Sequence, residues 1–117
     1  MGAKVIATTR QQPRLAALAA HGVDHPLLDD GAIATAVREI APKGVDAVLE
    51  LVGTNTLRDS LRATRLQGTV CFTGMVSNEW MIPDFYPIDF IPTGVRLTAY
   101  GGRDEVDRIE VRDHPLV

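Results

Sequence analysis

A chain of 117 residues has room for one domain with a real core, at the small end for an α/β fold. Its net charge of −3 gives no electrostatic footing for a nucleic-acid or membrane partner. A 45% hydrophobic share is that of an ordinary globular protein, and the single cysteine, Cys71, excludes an internal disulfide.

In chain order, residues 3–9 (AKVIATT) read as a short β-branched strand. Pro13 suits the first turn of a helix over 14–21, with Leu15, Leu18 and Ala19 on one face, and Gly22 stops it. Residues 24–28 form a brief segment interrupted by Pro26. Asp29 or Asp30 caps a helix running to Ala41, where Ile33, Val37 and Ile40 make an i, i+4, i+7 stripe and Pro42 ends the element.

Residues 43–53 (KGVDAVLELVG) then carry a nearly continuous apolar run, and a strand apolar on both faces has to be covered on both faces. Gly53 ends it and Thr54 or Thr56 caps the next helix, over about 56–65, with Leu57 and Leu61 inward. Gly68 closes that helix and opens a second buried strand, 68–74 (GTVCFTG). Between Met75 and Pro92 the periodicity fails, with Trp80, Phe85, Tyr86 and Phe90 among three prolines: a functional loop or a packing arm. Residues 94–100 (GVRLTAY) are a last strand, alternating Val95, Leu97 and Ala99 against Arg96, Thr98 and Tyr100. Residues 103–117 are charged and aperiodic, and read as a frayed or disordered tail.

The alternation βαβαβαβ predicts right-handed crossovers and a Rossmann-like parallel sheet with flanking helices over residues 1–102. The sheet is incomplete in one respect: no GxGxxG phosphate-cradling turn occurs in the sequence, and Gly2 precedes a strand instead of following one. Residues 1–10 lack the apolar stretch of a secretory leader, and no run reaches the length of a transmembrane helix. With a lone thiol inside a strand, a reducing cytoplasm is expected.

The ordered series GAKVIATTR, HGVDH, GVDAVLELVG, LQGTVCFTGM and FIPTGVRLTAYGG resembles the cofactor-binding domain of the medium-chain dehydrogenase/reductase superfamily, in its quinone oxidoreductase-like, zinc-independent branch. The resemblance covers roughly residues 2–102 and rests on the series, not on any single motif. It implies that the family's first strand and glycine-rich turn would precede Gly2, so the chain looks like the later part of a Rossmann domain. By the same resemblance the implied activity is NADPH-dependent reduction of quinones, enones or related carbonyl compounds, and the chain alone is expected to be inactive.

The resemblance also assigns positions. The end of the second Rossmann strand selects the cofactor, through an acid for the ribose hydroxyls or a basic or small residue for a 2′-phosphate. Here Thr9 and Arg10 stand there with no acid until Asp24, and Arg14 matches a basic early-helix position of NADP-dependent relatives. An arginine fork suits a phosphate because it donates two hydrogen bonds. Where some relatives carry a tyrosine after the third strand, this sequence has Asp29. Leu51, Val52 and Gly53 match the turn whose backbone runs beside the cofactor, and Gly74 with Met75 matches the next such turn. Phe90 and Ile91 match a segment bordering the nicotinamide. Read from residues alone, Arg10 and Arg14 are solvated charges, the glycines turn the chain, and Phe90 is a core aromatic.

No catalytic residue stands out. His21, His25 and His114 lack metal-ligand spacing, Cys71 sits among apolar neighbours, and Glu50 reads as a strand-end surface carboxylate. A second function class follows from the strand order 3-2-1-4-5-6. A missing first strand leaves two bare edges, to be filled by direct pairing of the 3–9 and 45–52 strands or by another chain. A non-catalytic piece that self-associates through sheet edges, and binds no cofactor tightly, is the alternative. Relatives in this family dimerise through the edge matching 95–100, which implies a homodimer.

Overall fold

The computed structural model describes residues 3–73 and 80–101; Gly2, Gly74, Met75 and the tail 103–117 lie outside the described residues. The elements alternate as β1 (Ile6–Thr9), α1 (Arg14–Ala20), β2 (His25–Leu28), α2 (Ile33–Ile40), β3 (Val45–Glu50), α3 (Thr54–Arg62), β4 (Thr64–Phe72), α4 (Pro87–Phe90) and β5 (Arg96–Ala99). Every strand pair is parallel: β1 with β2, β3 with β4, and β4 with β5. The α/β, Rossmann-like expectation therefore holds. The layer is split, however, into a two-stranded sheet β1-β2 and a three-stranded sheet β3-β4-β5. Direct pairing of β1 with β3, one of the two ways expected to close the bare edges, does not occur.

The start of α2 differs from the reading of Asp29 and Asp30 as helix caps. Asp29 Oδ1 accepts a hydrogen bond from Gly31 N–H at 2.9 Å and Asp30 Oδ1 from Ala32 N–H at 3.1 Å, so both brace the turn before the helix. The orphan amide inside the first turn, Ala34 N–H, donates instead to Asp59 Oδ2 of α3 at 3.1 Å. The cap comes from another helix, 25 residues away in sequence.

The α3–β4 boundary also moves. The helix ends at Arg62 and β4 begins at Thr64, four residues before Gly68. Pairing jumps from Val45 opposite Thr64 to Ala47 opposite Thr69, so the residues between bulge out of the ladder. Gly68 lies in that bulge. A Cβ there would sit 2.6 Å from Thr64 Cγ2 and 2.8 Å from Asp46 O, so its glycine serves close approach and not a helix stop. Opposite it, Gly44 has φ +93° and no room for a Cβ beside the Arg65 backbone.

The core belongs to the second sheet. Leu57 and Leu61 of α3, Val70 of β4, Phe90 of α4 and Val95 form the buried cluster, with Val48, Phe72, Ile82, Ile91 and Leu97 packed against it. The segment expected to be a loop thus supplies an anchor, Phe90, through the single turn of α4. Elements β1, α1 and β2 contribute no buried side chain. They are tied in through α2, which touches β2 on one side and α3 on the other. Buried Val37 and the Arg38 guanidinium fasten that helix, the latter donating to Pro42 O, Arg62 O and Thr64 O at 3.0–3.1 Å.

Strand β3 corrects the expectation that both its faces are covered. Val48 packs on the core, but Leu49 is 61% exposed and Leu51 is also open. Its second face and outer edge have no strand beside them.

Candidate functional site

Parallel layers gather ligands at the carboxyl ends of their strands, where backbone amides and helix starts face solvent. Here a cavity of about 890 Å³ runs between the two sheets and reaches those ends. Thr8 near the end of β1 and Arg10 just after it, Asp29 after β2, and Glu50, Leu51 and Val52 at the end of β3 all line it. The volume is that of a small-molecule or cofactor site.

Glu50 is the most constrained group there. It is 4% exposed, and its carboxylate is saturated from its own chain. Oε2 accepts from Val52 N–H at 2.9 Å, Gly53 N–H at 3.2 Å and Thr56 Oγ1 at 2.6 Å, while Oε1 accepts from Ser60 Oγ. A carboxylate at the amino end of α3 also lies favourably in the helix dipole. Glu50 therefore does the capping expected of Thr54 or Thr56, whose hydroxyls donate elsewhere: Thr54 Oγ1 to Met81 O and Thr56 Oγ1 to Glu50 itself. This corrects its reading as a surface carboxylate. It is a positioning group, engaged with the turn 51–53 and not free to act as a base. The sequence shows the i, i+4 spacing that puts Thr56 and Ser60 on one helix face, but not that Glu50 lies beneath them.

The facing side is cationic. Arg10 and Arg14 are exposed, and their guanidinium groups make no hydrogen bond or ion pair among the described residues. Thr9 is used locally: its Oγ1 accepts from Gln11 N–H at 3.1 Å and its carbonyl from Asp29 N–H at 2.8 Å. The structure thus brings Arg10, Leu51 and Val52 to one cavity, with Thr9 and Gly53 as their chain neighbours and Arg14 opening α1. Gly53 has an extended backbone, φ 160°, that any residue adopts, so conformation alone does not require glycine.

Phe90 and Ile91 are not brought there. Phe90 is buried in the core, edge-on to Phe85 at 5.1 Å and beneath the Arg58 guanidinium, and Ile91 packs beside it. Arg58 is in turn held by Asp89 at 2.7 Å. Among the described residues no group of three or more His, Cys, Asp or Glu side chains is placed to hold a metal. No helix among them is long and apolar enough to cross a membrane.

Against known proteins, the family described as zinc-binding dehydrogenase matches residues 1–108. No curated protein matches. Among solved structures, a 2-haloacrylate reductase is 26% identical with a TM-score of 0.76, over 86% of this chain and 32% of its own. A quinone oxidoreductase of Pseudomonas syringae pv. Tomato DC3000 is 22% identical with a TM-score of 0.77, over 91% and 33%. CurK enoyl reductase is 20% identical with a TM-score of 0.72, over 92% and 31%. The chain spans about a third of the length of each of these structures.

Proposed function

The chain belongs to the zinc-binding dehydrogenase family, as part of the cofactor-binding domain of a medium-chain dehydrogenase/reductase, and from that premise we propose that it holds the adenosine-phosphate side of NADP. The parent reaction on this reading is hydride transfer to a quinone, enone or other carbonyl substrate. The observation that carries the cofactor choice is the pair of guanidinium groups, Arg10 just after β1 and Arg14 at the start of α1, for which no side-chain partner is seen among the described residues.

The residues present fit one part of such a cofactor. Arg10, on the cavity, presents a planar fork suited to a phosphate dianion, and Leu51 and Val52 offer apolar wall. Glu50 fixes the turn that carries that wall. The nicotinamide group supplies the hydride when bound; this chain's residues bind, orient and exclude water. The described residues hold no zinc-ligand set, and zinc is given no role in them. A cytoplasmic setting accords with the free thiol of Cys71.

Titration of the chain with NADPH and NADH, followed by nicotinamide fluorescence, tests the reading. NADPH is expected to bind about tenfold tighter or better, a preference lost in Arg10→Glu/Arg14→Glu because phosphate recognition depends on those cations. No binding at millimolar NADPH, or equal or tighter binding of NADH, overturns it. A second reading, a non-catalytic piece that self-associates through a sheet edge, draws on β5, whose Arg96, Thr98 and Ala99 are exposed along the outer edge. Sedimentation showing a folded monomer at high concentration removes that reading.

A further inference from the structure

A second cavity, of about 520 Å³, lies at the amino ends of β3, β4 and β5, and shares no lining residue with the one that reaches the carboxyl ends. Arg38 of α2, Lys43 before β3 and Arg65 of β4 supply its charged part. Leu66, Pro92 and Val95 supply its apolar part. No Asp or Glu lines it, although the chain as a whole carries a net charge of −3.

The three cations are engaged to different degrees. Arg38 is held by backbone carbonyls alone: Nε and Nη2 donate to Arg62 O, Nη2 also to Thr64 O, and Nη1 to Pro42 O. Four of its five N–H groups are thus given to neutral partners, which fix the guanidinium plane and leave its charge uncancelled. Arg65 gives Nε to the Asp46 carboxylate and Nη1 to Leu66 O, so its charge is met. Lys43 is exposed, and its ammonium makes no hydrogen bond or ion pair among the described residues. Two positive charges are left over beside an apolar surface.

We propose that this hollow binds a small phosphate monoester, with the phosphate set against Arg38 and Lys43 and the organic body on Leu66, Pro92 and Val95. Such a monoester carries a charge of about −1.5 to −2 near pH 7, which matches the two unmet cations. A carboxylate would answer only one of them, and inorganic phosphate would leave the apolar part uncovered. The volume is that of a small ligand. Arg38 meets it preorganised, because the carbonyls have already removed its rotamer freedom. Fastening α2 accounts for Arg38, and Asp46 accounts for Arg65, but neither accounts for Lys43, so the test turns on that residue. The inference does not depend on the choice of cofactor.

The test is residue-resolved amide NMR of the chain without nucleotide, titrated in turn with phenyl phosphate, inorganic phosphate and benzyl alcohol. Phenyl phosphate is expected to shift the amides of Lys43, Arg65, Leu66 and Val95 saturably, about tenfold more tightly than either of the other two. Lys43→Glu is expected to weaken it about tenfold or more. Lys43 is exposed, so the variant keeps the fold; should its spectrum change elsewhere, Lys43→Gln is the second variant, with a loss in the same direction. Inorganic phosphate binding equally tightly means an adventitious ion only and overturns the proposal. So do equal binding of benzyl alcohol, saturable shifts confined to Arg10, Arg14 and the turn 51–53, or Lys43 variants that bind as tightly as the parent. NADPH titration of the same sample reads the cofactor site separately, so either idea fails alone.

Discussion

Glu50 aims both carboxylate oxygens at its own chain, and the cost of removing them can be stated. Glu50→Ala leaves one buried and one half-buried amide and two half-buried hydroxyls without this acceptor. An unsatisfied buried donor costs about 1–3 kcal/mol, partly recovered where water enters, so a loss of about 3 kcal/mol is expected. Glu50→Gln keeps one acceptor oxygen but turns an NH2 group toward donors, for a loss of about 1–2 kcal/mol. Urea unfolding of the two variants checks the ranking, and a Glu50→Ala chain as stable as the parent would refute the capping role. This group was hidden in the sequence because an acid at a strand end is ordinarily solvated. Only the fold shows that Thr56 and Ser60 stand over it. The exposure of Arg10 was legible for the opposite reason, since a solvated cation needs no partner to be placed.

At the scale of elements, hydrophobic period carried the reading wherever one face was truly buried. Ile33, Val37 and Ile40 mark α2, Leu57 and Leu61 mark α3, and the run from Val45 marks β3, all as observed. The period could not show that Leu49 lacks cover, because an apolar side chain looks the same whether or not its neighbour is there. Gly68 misled for a different reason: a glycine permits both a helix stop and a bulge, and the choice is made by β3 across the ladder. The bulge makes a paired prediction of opposite signs. Gln67 sits at φ 70°, where a side chain is disfavoured, while its N–H donates to Gly94 O and its carbonyl accepts from Arg96, contacts that any residue retains. Gln67→Gly should therefore stabilise by up to about 1 kcal/mol. Gly68→Ala should destabilise by about 1–3 kcal/mol, since its Cβ meets Thr64 and the Asp46 carbonyl. Thermal or urea unfolding decides it, and equal signs for the two would mean that the bulge is not held as described.

For the whole molecule, stability should be unevenly distributed, because the packing is. The buried cluster is confined to the layer of β3, β4 and β5 with α3 and α4, while β1, α1 and β2 bury no side chain and are reached through α2. Local opening follows the density of buried apolar contacts, so amides of β1 and β2 should exchange with solvent about tenfold faster or more than those of Val70 and Phe72 in β4. The link can be loosened at a single atom pair, since Asp59 Oδ2 holds the first turn of α2 through Ala34 N–H. Asp59→Ala removes a cap, about 1 kcal/mol, and should speed exchange in α2 and β2 while leaving β4 unchanged. Hydrogen exchange read residue by residue separates this from a uniform loss. If protection falls equally in both sheets, the chain unfolds as one unit, and the separation of the β1-β2 sheet from the β3-β4-β5 sheet would not divide it mechanically. If the first sheet alone loosens, the two sheets open as separate units coupled through the packing of α2 against β2 and α3.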